Sequence, residues 1–360
     1  MTDDTAYILD DQIGYLLRLA NQRHSVIFQN LMTHELTPTQ FATLIRVAEA
    51  GKVSQNQLGR MAAMDIATIK GVVDRLKAKG LLETSPDLQD RRRSLISLTG
   101  AGADLIDDLR MVKSDYELAR IAYVCARLTE IHDDMMAGTK PGETMAAFNS
   151  KHIGALMKRV LADNPAINMT ATKVHGIFQA AEVTHDPHNF TDLGLKTAEG
   201  GPMITLVNGV IDGYGGEIER TFFLGHAPEA CKRPFDVMLE ARQAALDAAR
   251  PGALMSDVDR AANEVFIRAG YAENLLHRAG HGIGVTGHEA PFFAEGYDRE
   301  ILPGMVFTME PGVYIEGVGG FRQIDIEEVD AGVTLSWGAT TVLLLDAVRA
   351  DISRADVDIA

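Results

Sequence analysis

Only two cysteines, Cys125 and Cys231, occur among 360 residues. Two thiols cannot form a disulfide framework, which points to a reducing compartment, the cytoplasm. No run of about eighteen apolar residues exists, so no membrane span is expected. The opening stretch MTDDTAYILDD is acidic and lacks a basic segment leading into an apolar core, so no secretory signal is expected. Cations are also short. Lys and Arg number 34 against 50 Asp and Glu, a net charge of −16. Residues 1–110 hold 13 of the cations and 14 of the acids, so the deficit lies in residues 111–360. That acidic remainder repels a polyanion, and any DNA contact falls to clustered cations in the near-neutral N-terminal part. What remains is ordinary: 46% hydrophobic and 23% charged residues, in a chain long enough for two cores.

Ile8, Ile13, Leu16, Leu17, Leu19, Val26, Ile27 and Leu31 recur at broadly helical spacing and predict a long first helix. Thr37-Pro38 reads as an N-cap with Pro at the first helical position, opening a helix to Ala50 that Gly51 ends. Ser54 caps a short helix reaching Ala62, and Asp65 caps another over 66–79, closed by Gly80. LLETS and SLISLT then flank the arginine-rich tip PDLQDRRR, the pattern of a hairpin wing. Helix, short helix, helix and wing make a winged helix-turn-helix. In such a module the helix over 66–79 enters the major groove. Asp65, Ala67, Thr68 and Lys70 would reach base edges or phosphates. Asp90, Arg91, Arg92 and Arg93 would reach phosphates or a minor groove, the alternative being a solvated turn.

The stretch SQNQLGRMAAMDIATIKGVVDRLKAKGLLETSPDLQDRRRSLISLTGAG, within residues 6–110, resembles the MarR family of transcription regulators. The family's wing carries an Asp-Arg-Arg element, matched by Asp90, Arg91 and Arg92. The resemblance implies a homodimer on double-stranded DNA with a palindromic operator. MarR proteins continue for two helices after the wing. Here Thr99–Arg110 begins the first, and the last dimerisation helix is missing. The helix from Thr99 is expected to run straight into the next at Lys113, with no Gly or Pro between. A rigid junction of this kind would pass ligand closure on to the DNA-reading heads.

Residues 113–137 are helical by pattern, and Pro141-Gly142 opens the next helix. Helix 235–249, the turn Arg250-Pro251-Gly252-Ala253 and helix 256–269 repeat that layout. Each pair is followed by a strand-rich segment, 173–225 and 282–346, which suggests internal duplication. The motifs KSDYELARIA, PHNF, GYGGEIERT, GHGIGVTGHE, LPGMVFTMEPGVY and GGFR come in order. Together they resemble the pita-bread fold of creatinase, aminopeptidase P, prolidase and methionine aminopeptidase, over residues 111–350. The expected fold class is two domains: a mostly α winged helix-turn-helix, residues 1–110, followed by an α+β pita-bread domain, residues 111–360.

The metallopeptidases of this fold hold two divalent ions with two Asp, one His and two Glu. Charge makes the carboxylates necessary, since two neighbouring cations must be neutralised. The resemblance places those five positions on Asn208, Glu217, His281, Glu310 and Ile324. An amide and an alkyl group therefore replace two anions, and Asp325 is an unproven substitute beside Ile324. No resident cofactor is expected; the alternative is one divalent metal on Glu217, His281 and Glu310. The pattern is closer to creatinase, which works without a metal. Its catalytic His corresponds to His188, and its two substrate-holding Glu correspond to Glu219 and Glu310. A neutral imidazole near pH 7 can take and return a proton, and carboxylates favour a bound cation. His281 and His288 complete the expected pocket, His288 being the one that touches substrate in the peptidases. Glu219 beside Arg220 could equally be an ion pair that only holds the sheet.

These readings imply a DNA-binding regulator fused to a creatinase-like domain that binds or hydrolyses a small nitrogenous compound at a C–N bond. The alternative is a metal-dependent Xaa-Pro-type aminopeptidase with an accessory DNA-binding or dimerisation module.

Overall fold

The computed structural model describes residues 8–32, 34–87, 90, 93–189, 192–329 and 334–337. Two compact units divide the chain, Met1–Leu109 and Arg110–Ala360.

In the first unit, α1 (Ile13–Leu31) leaves Ile13, Leu17 and Val26 exposed. Helix α2 (Pro38–Ala50) begins as its sequence requires: Thr37 and Gln40 form a reciprocal capping box, and Pro38 stands where no amide partner is needed. Strand β1 (Val53–Ser54) leads into α3 (Gln55–Met61), capped by the Ser54 side chain. Asp65 caps α4 (Ile66–Ala78). Strands β2 (Leu82–Pro86) and β3 (Ser94–Leu98) form an antiparallel hairpin, and the sheet runs β1-β3-β2. Leu44, Val47, Leu58, Ile69, Val72, Leu76 and Ile96 are buried together. Each contributes about 1.5–3 kcal/mol by leaving water. Helix α5 (Gly100–Met111) comes after the wing. Gly102 is required there, because a Cβ would collide with the Leu81 carbonyl.

The expected continuous helix through Lys113 is not formed. Val112 leaves the helical path to make an antiparallel bridge with Met305, and the Lys113 amide donates to the Gly304 carbonyl at 2.9 Å. Ser114 then caps α6 (Asp115–Gly138) in a capping box with Glu117. An extended β-branched residue followed by a Ser-x-x-Glu box is a helix break and restart without Gly or Pro.

The second unit continues with α7 (Met145–Asp163), β4 (Lys173–Gln179), β5 (Gly200–Ile211) and β6 (Tyr214–Leu224). Next come α8 (Glu229–Ala248), α9 (Met255–Ala269), β7 (Gly280–Gly282), β8 (Glu289–Phe293), β9 (Val306–Met309), β10 (Gly312–Ile315), β11 (Gly319–Val329) and β12 (Thr334–Trp337). The sequence places the start of α8 at residue 235, but it begins at Glu229 and carries Pro234 inside. Two helix pairs are each followed by strands, and the halves join where β6 pairs with β11. The sheet runs β4-β5-β6-β11-β9-β7-β8, with β10 and β12 also on β11. Val124, Leu128, Phe148 and Phe178 centre one core; Met238, Phe266, Phe293 and Phe307 centre another. Among the described residues no helix is long and apolar enough to cross a membrane.

Candidate active site

Strand alternation fixes the first two acids. Glu217 and Glu219 are two residues apart on β6, so both point to one face, and both are buried. Across from Glu217 on β5 stands Asn208, whose side chain hydrogen-bonds the carboxyl. Across from Glu219 on β11 stands the buried Ile324. His281 comes from β7, its amide donating to the Thr308 hydroxyl at 3.0 Å. Gly280 and Gly282 flank it because a Cβ at either would strike a neighbouring strand's carbonyl. Glu310 follows β9 directly, held by its amide on the Ala279 carbonyl at 2.8 Å.

His281 is the junction of these groups. Its Nδ1 is 3.0 Å from the Gly282 carbonyl, so the neutral ring donates there and carries its lone pair on Nε2. That Nε2 is buried and has no hydrogen-bond partner. It faces Glu310 at 3.5 Å and Glu217 at 4.0 Å. Burial lowers the His281 pKa to about 3. Burial likewise pushes Glu310 up to about 8, with Glu219 adding repulsion, and raises Glu217 well above the usual carboxylate range. His288 is exposed and stacks on His281 with ring centroids 3.9 Å apart.

Glu219 is differently placed. Its carboxylate pairs with Arg322 Nε, and the same guanidinium donates to the Tyr314 hydroxyl at 3.0 Å and to the Pro187 carbonyl at 3.3 Å. Glu219 is thus held in a buried ion pair with Arg322. Arg220 is turned to the Glu219 and Ile324 carbonyls, both at 2.7 Å. Through Pro187 the same Arg322 holds the segment bearing His188, which is exposed. Sequence reasoning misses Arg322, Tyr314 and His277 as site residues. His277 Nε2 lies 2.7 Å from the Tyr314 hydroxyl. The GGFR motif is the available signal for Arg322, but only register shows which acid it meets.

In the winged unit, Thr68 and Lys70 are both exposed on α4. The Thr68 hydroxyl donates to Asp65 at 2.7 Å, and Asp65 also accepts from the Ala67 and Thr68 amides. Those hydrogen bonds hold Asp65 below the usual carboxylate range. Asp65 and Thr68 are thus engaged with each other as the cap, which leaves Lys70 as the cation presented by that turn. At the wing, Arg93 Nε is 3.6 Å from Asp90. Arg91 and Arg92 lie outside the described residues, as does the side chain of Asp325.

The model of a family described as metallopeptidase family M24 matches residues 119–331, and that of the MarR family matches residues 36–94. The chain belongs to metallopeptidase family M24. Its N-terminal module is of the MarR family. A protein of Mycobacterium tuberculosis described as probable dipeptidase PepE is 32% identical over 225 residues, covering 62% of this chain and 57% of its own. An Xaa-Pro dipeptidase of Lactobacillus delbrueckii is 36% identical over 152 residues, covering 42% of this chain and 41% of its own. Among solved structures, prolidase from Pyrococcus horikoshii matches with a TM-score of 0.59 at 25% identity, over 66% of each chain. Dipeptidase PepE from Mycobacterium ulcerans matches with a TM-score of 0.57 at 30% identity, over 68% of this chain and 63% of its own. The chain thus spans under two thirds of the curated relatives' length. The α+β pita-bread fold expected for the second unit is shown by these matches.

For this M24 domain the family description gives no support to the expectation of no resident cofactor, and it is consistent with a divalent metal. The donor set decides how many ions fit. A tetrahedral ion with bonds of about 2.0–2.2 Å sets its donors roughly 3.4 Å apart. The His281–Glu310 and His281–Glu217 separations of 3.5 and 4.0 Å come near that spacing. Glu217, His281 and Glu310 are the residues that would hold one ion, although among the described residues no group of three His, Cys, Asp or Glu is close enough to hold one as it stands. Among the described side chains, the other two ligand positions offer nothing for a second ion. Ile324 presents only carbon, and the Asn208 amide brings no charge.

Proposed function

We propose that this chain is a DNA-binding transcription regulator of MarR type whose M24 domain binds a small cationic nitrogenous compound. The observation that carries this reading is the buried, unpartnered Nε2 of His281 facing Glu310 and Glu217. A lone pair and two desolvated carboxyls, neither in a salt bridge with Lys or Arg among the described residues, form a site that favours positive charge. Arg322 does not supply it, being engaged by Glu219. An ammonium or guanidinium group would relieve the site, and His188 at its exposed edge would serve as general acid/base for cleavage of a C–N bond. The exposed apolar residues of α1 support a homodimer on a palindromic duplex, and the two reduced thiols support a cytoplasmic setting.

The second reading is a metal-dependent Xaa-Pro dipeptidase, favoured by the near-tetrahedral spacing of Glu217, His281 and Glu310 and by the names of the relatives. Those three residues would hold the ion, which when bound would polarise a carbonyl and acidify a water. Calorimetry of the full chain with creatine and with Gly-Pro, in chelator and then in Mn²⁺, separates the two. Binding of either compound in chelator supports the regulator reading. Gly-Pro turnover only with Mn²⁺ replaces it by the peptidase. No binding under either condition overturns both.

A further inference from the structure

Glu289 is a buried acid that joins the histidine-bearing loop to the start of the second unit. The loop 283–288 connects β7 to β8 and carries His288. Glu289 Oε2 accepts from the Thr286 amide at 3.3 Å and from its hydroxyl at 3.0 Å. The same oxygen takes Arg110 Nη2 at 2.6 Å, and Oε1 takes Lys113 Nζ at 3.2 Å. Arg110 also donates to the Thr286 hydroxyl at 3.1 Å. The Glu289 and Lys113 side chains are 5% and 2% exposed, so water screens this pair little. Gly284 is needed in the loop because a Cβ there would collide with the Glu289 carboxylate. One carboxylate therefore fixes both the loop that places His288 over His281 and the residues by which the chain enters the second unit. Helix α5 runs from one unit into the next: it gives Leu105 and Ile106 to the first core, and its last turn carries Arg110 and Met111 of the second unit.

We infer that the Arg110–Glu289 pair couples the His281/His288 site to DNA binding through α5. Arg110 and Glu289 are positioning residues in this scheme: displacement of His288 is passed through Thr286 and Glu289 to Arg110. The inference rests on the regulator reading proposed above, and it replaces the uninterrupted helix expected from sequence with an electrostatic tie. Coupling is reciprocal, so DNA must act back on the loop.

That reciprocity allows a test without the natural ligand. The full chain is used to select a duplex from a random pool, and hydrogen exchange of the peptide 283–289 is measured with and without that duplex. In the wild-type protein, saturation with duplex is expected to change exchange there by about fivefold or more, the lower end of ordinary coupling. Arg110→Gln is expected to abolish the change, and Arg110→Lys to restore part of it. Thr286→Val, at an exposed position that leaves both ion pairs of Glu289 intact, is expected to abolish it as well. An undiminished response in Arg110→Gln and Thr286→Val overturns the inference while the regulator reading stands. The same holds if the wild-type protein binds its duplex and the loop does not respond. Failure to select any duplex overturns the regulator reading and the inference with it.

Discussion

The guanidinium of Arg322 is committed to the carboxylate of Glu219, with both side chains buried. One acid of the site is thereby neutralised, while Glu217 and Glu310 have no such guanidinium partner among the described residues and face Nε2 of His281. Removing the arginine should leave Glu219 as an uncompensated buried charge. Arg322→Met is expected to cost about 3–5 kcal/mol in urea unfolding. Combining it with Glu219→Leu should recover most of that loss. A single variant costing under about 1 kcal/mol would show that the pair is solvated.

Glu310 sets a pH dependence with a definite sign. Its pKa is raised to about 8 in the fold, chiefly by burial, from the ordinary 4.5. Between those values the folded chain keeps a proton that the unfolded chain has released. In chelator, its contribution to stability is therefore complete below about pH 4.5 and declines as pH rises toward 8, by at most about 1.4 kcal/mol per unit. Glu310→Gln should reduce that slope, leaving the contribution of Glu217, which has the same sign. Parallel pH–stability curves for the two proteins would refute the assignment.

Metal capacity is set by the donors. The wild-type chain is expected to retain no more than one Mn²⁺ by elemental analysis after desalting. Asn208→Asp combined with Ile324→Glu supplies two further carboxylates on strands flanking β6 and should raise the count toward two. A wild-type chain that already holds two ions would require ligands other than Glu217, His281 and Glu310.

On the winged unit, Lys70→Ala should weaken binding to any duplex by a similar factor and reduce the salt slope of log K by about one. Asp65→Ala should act differently. It removes the cap, so the Ala67 and Thr68 amides should exchange faster with solvent. Salt titrations with nuclear magnetic resonance exchange rates distinguish these outcomes; equal salt slopes for Lys70→Ala and the wild type would remove Lys70 from the interface.

Local chemistry made much of this protein legible in its sequence. Thr37, Ser54 and Asp65 announce helix starts because a cap needs only its own next three residues. The spacing of Glu217 and Glu219 fixes their common face, because a strand alternates with period two. Ile324 and Asn208 declare themselves poor ligands by atom type alone. Tertiary structure decided what depends on distant partners. Arg220 and Arg322 are equally charged in sequence, but strand register delivers Arg322 to Glu219 and turns Arg220 to backbone carbonyls. The break between α5 and α6 has no Gly or Pro to mark it, and it forms because Val112 finds Met305, 193 residues away in the chain. The unpartnered lone pair of His281 is likewise a property of packing: β7 is buried where β6 and the end of β9 bring Glu217 and Glu310 toward it.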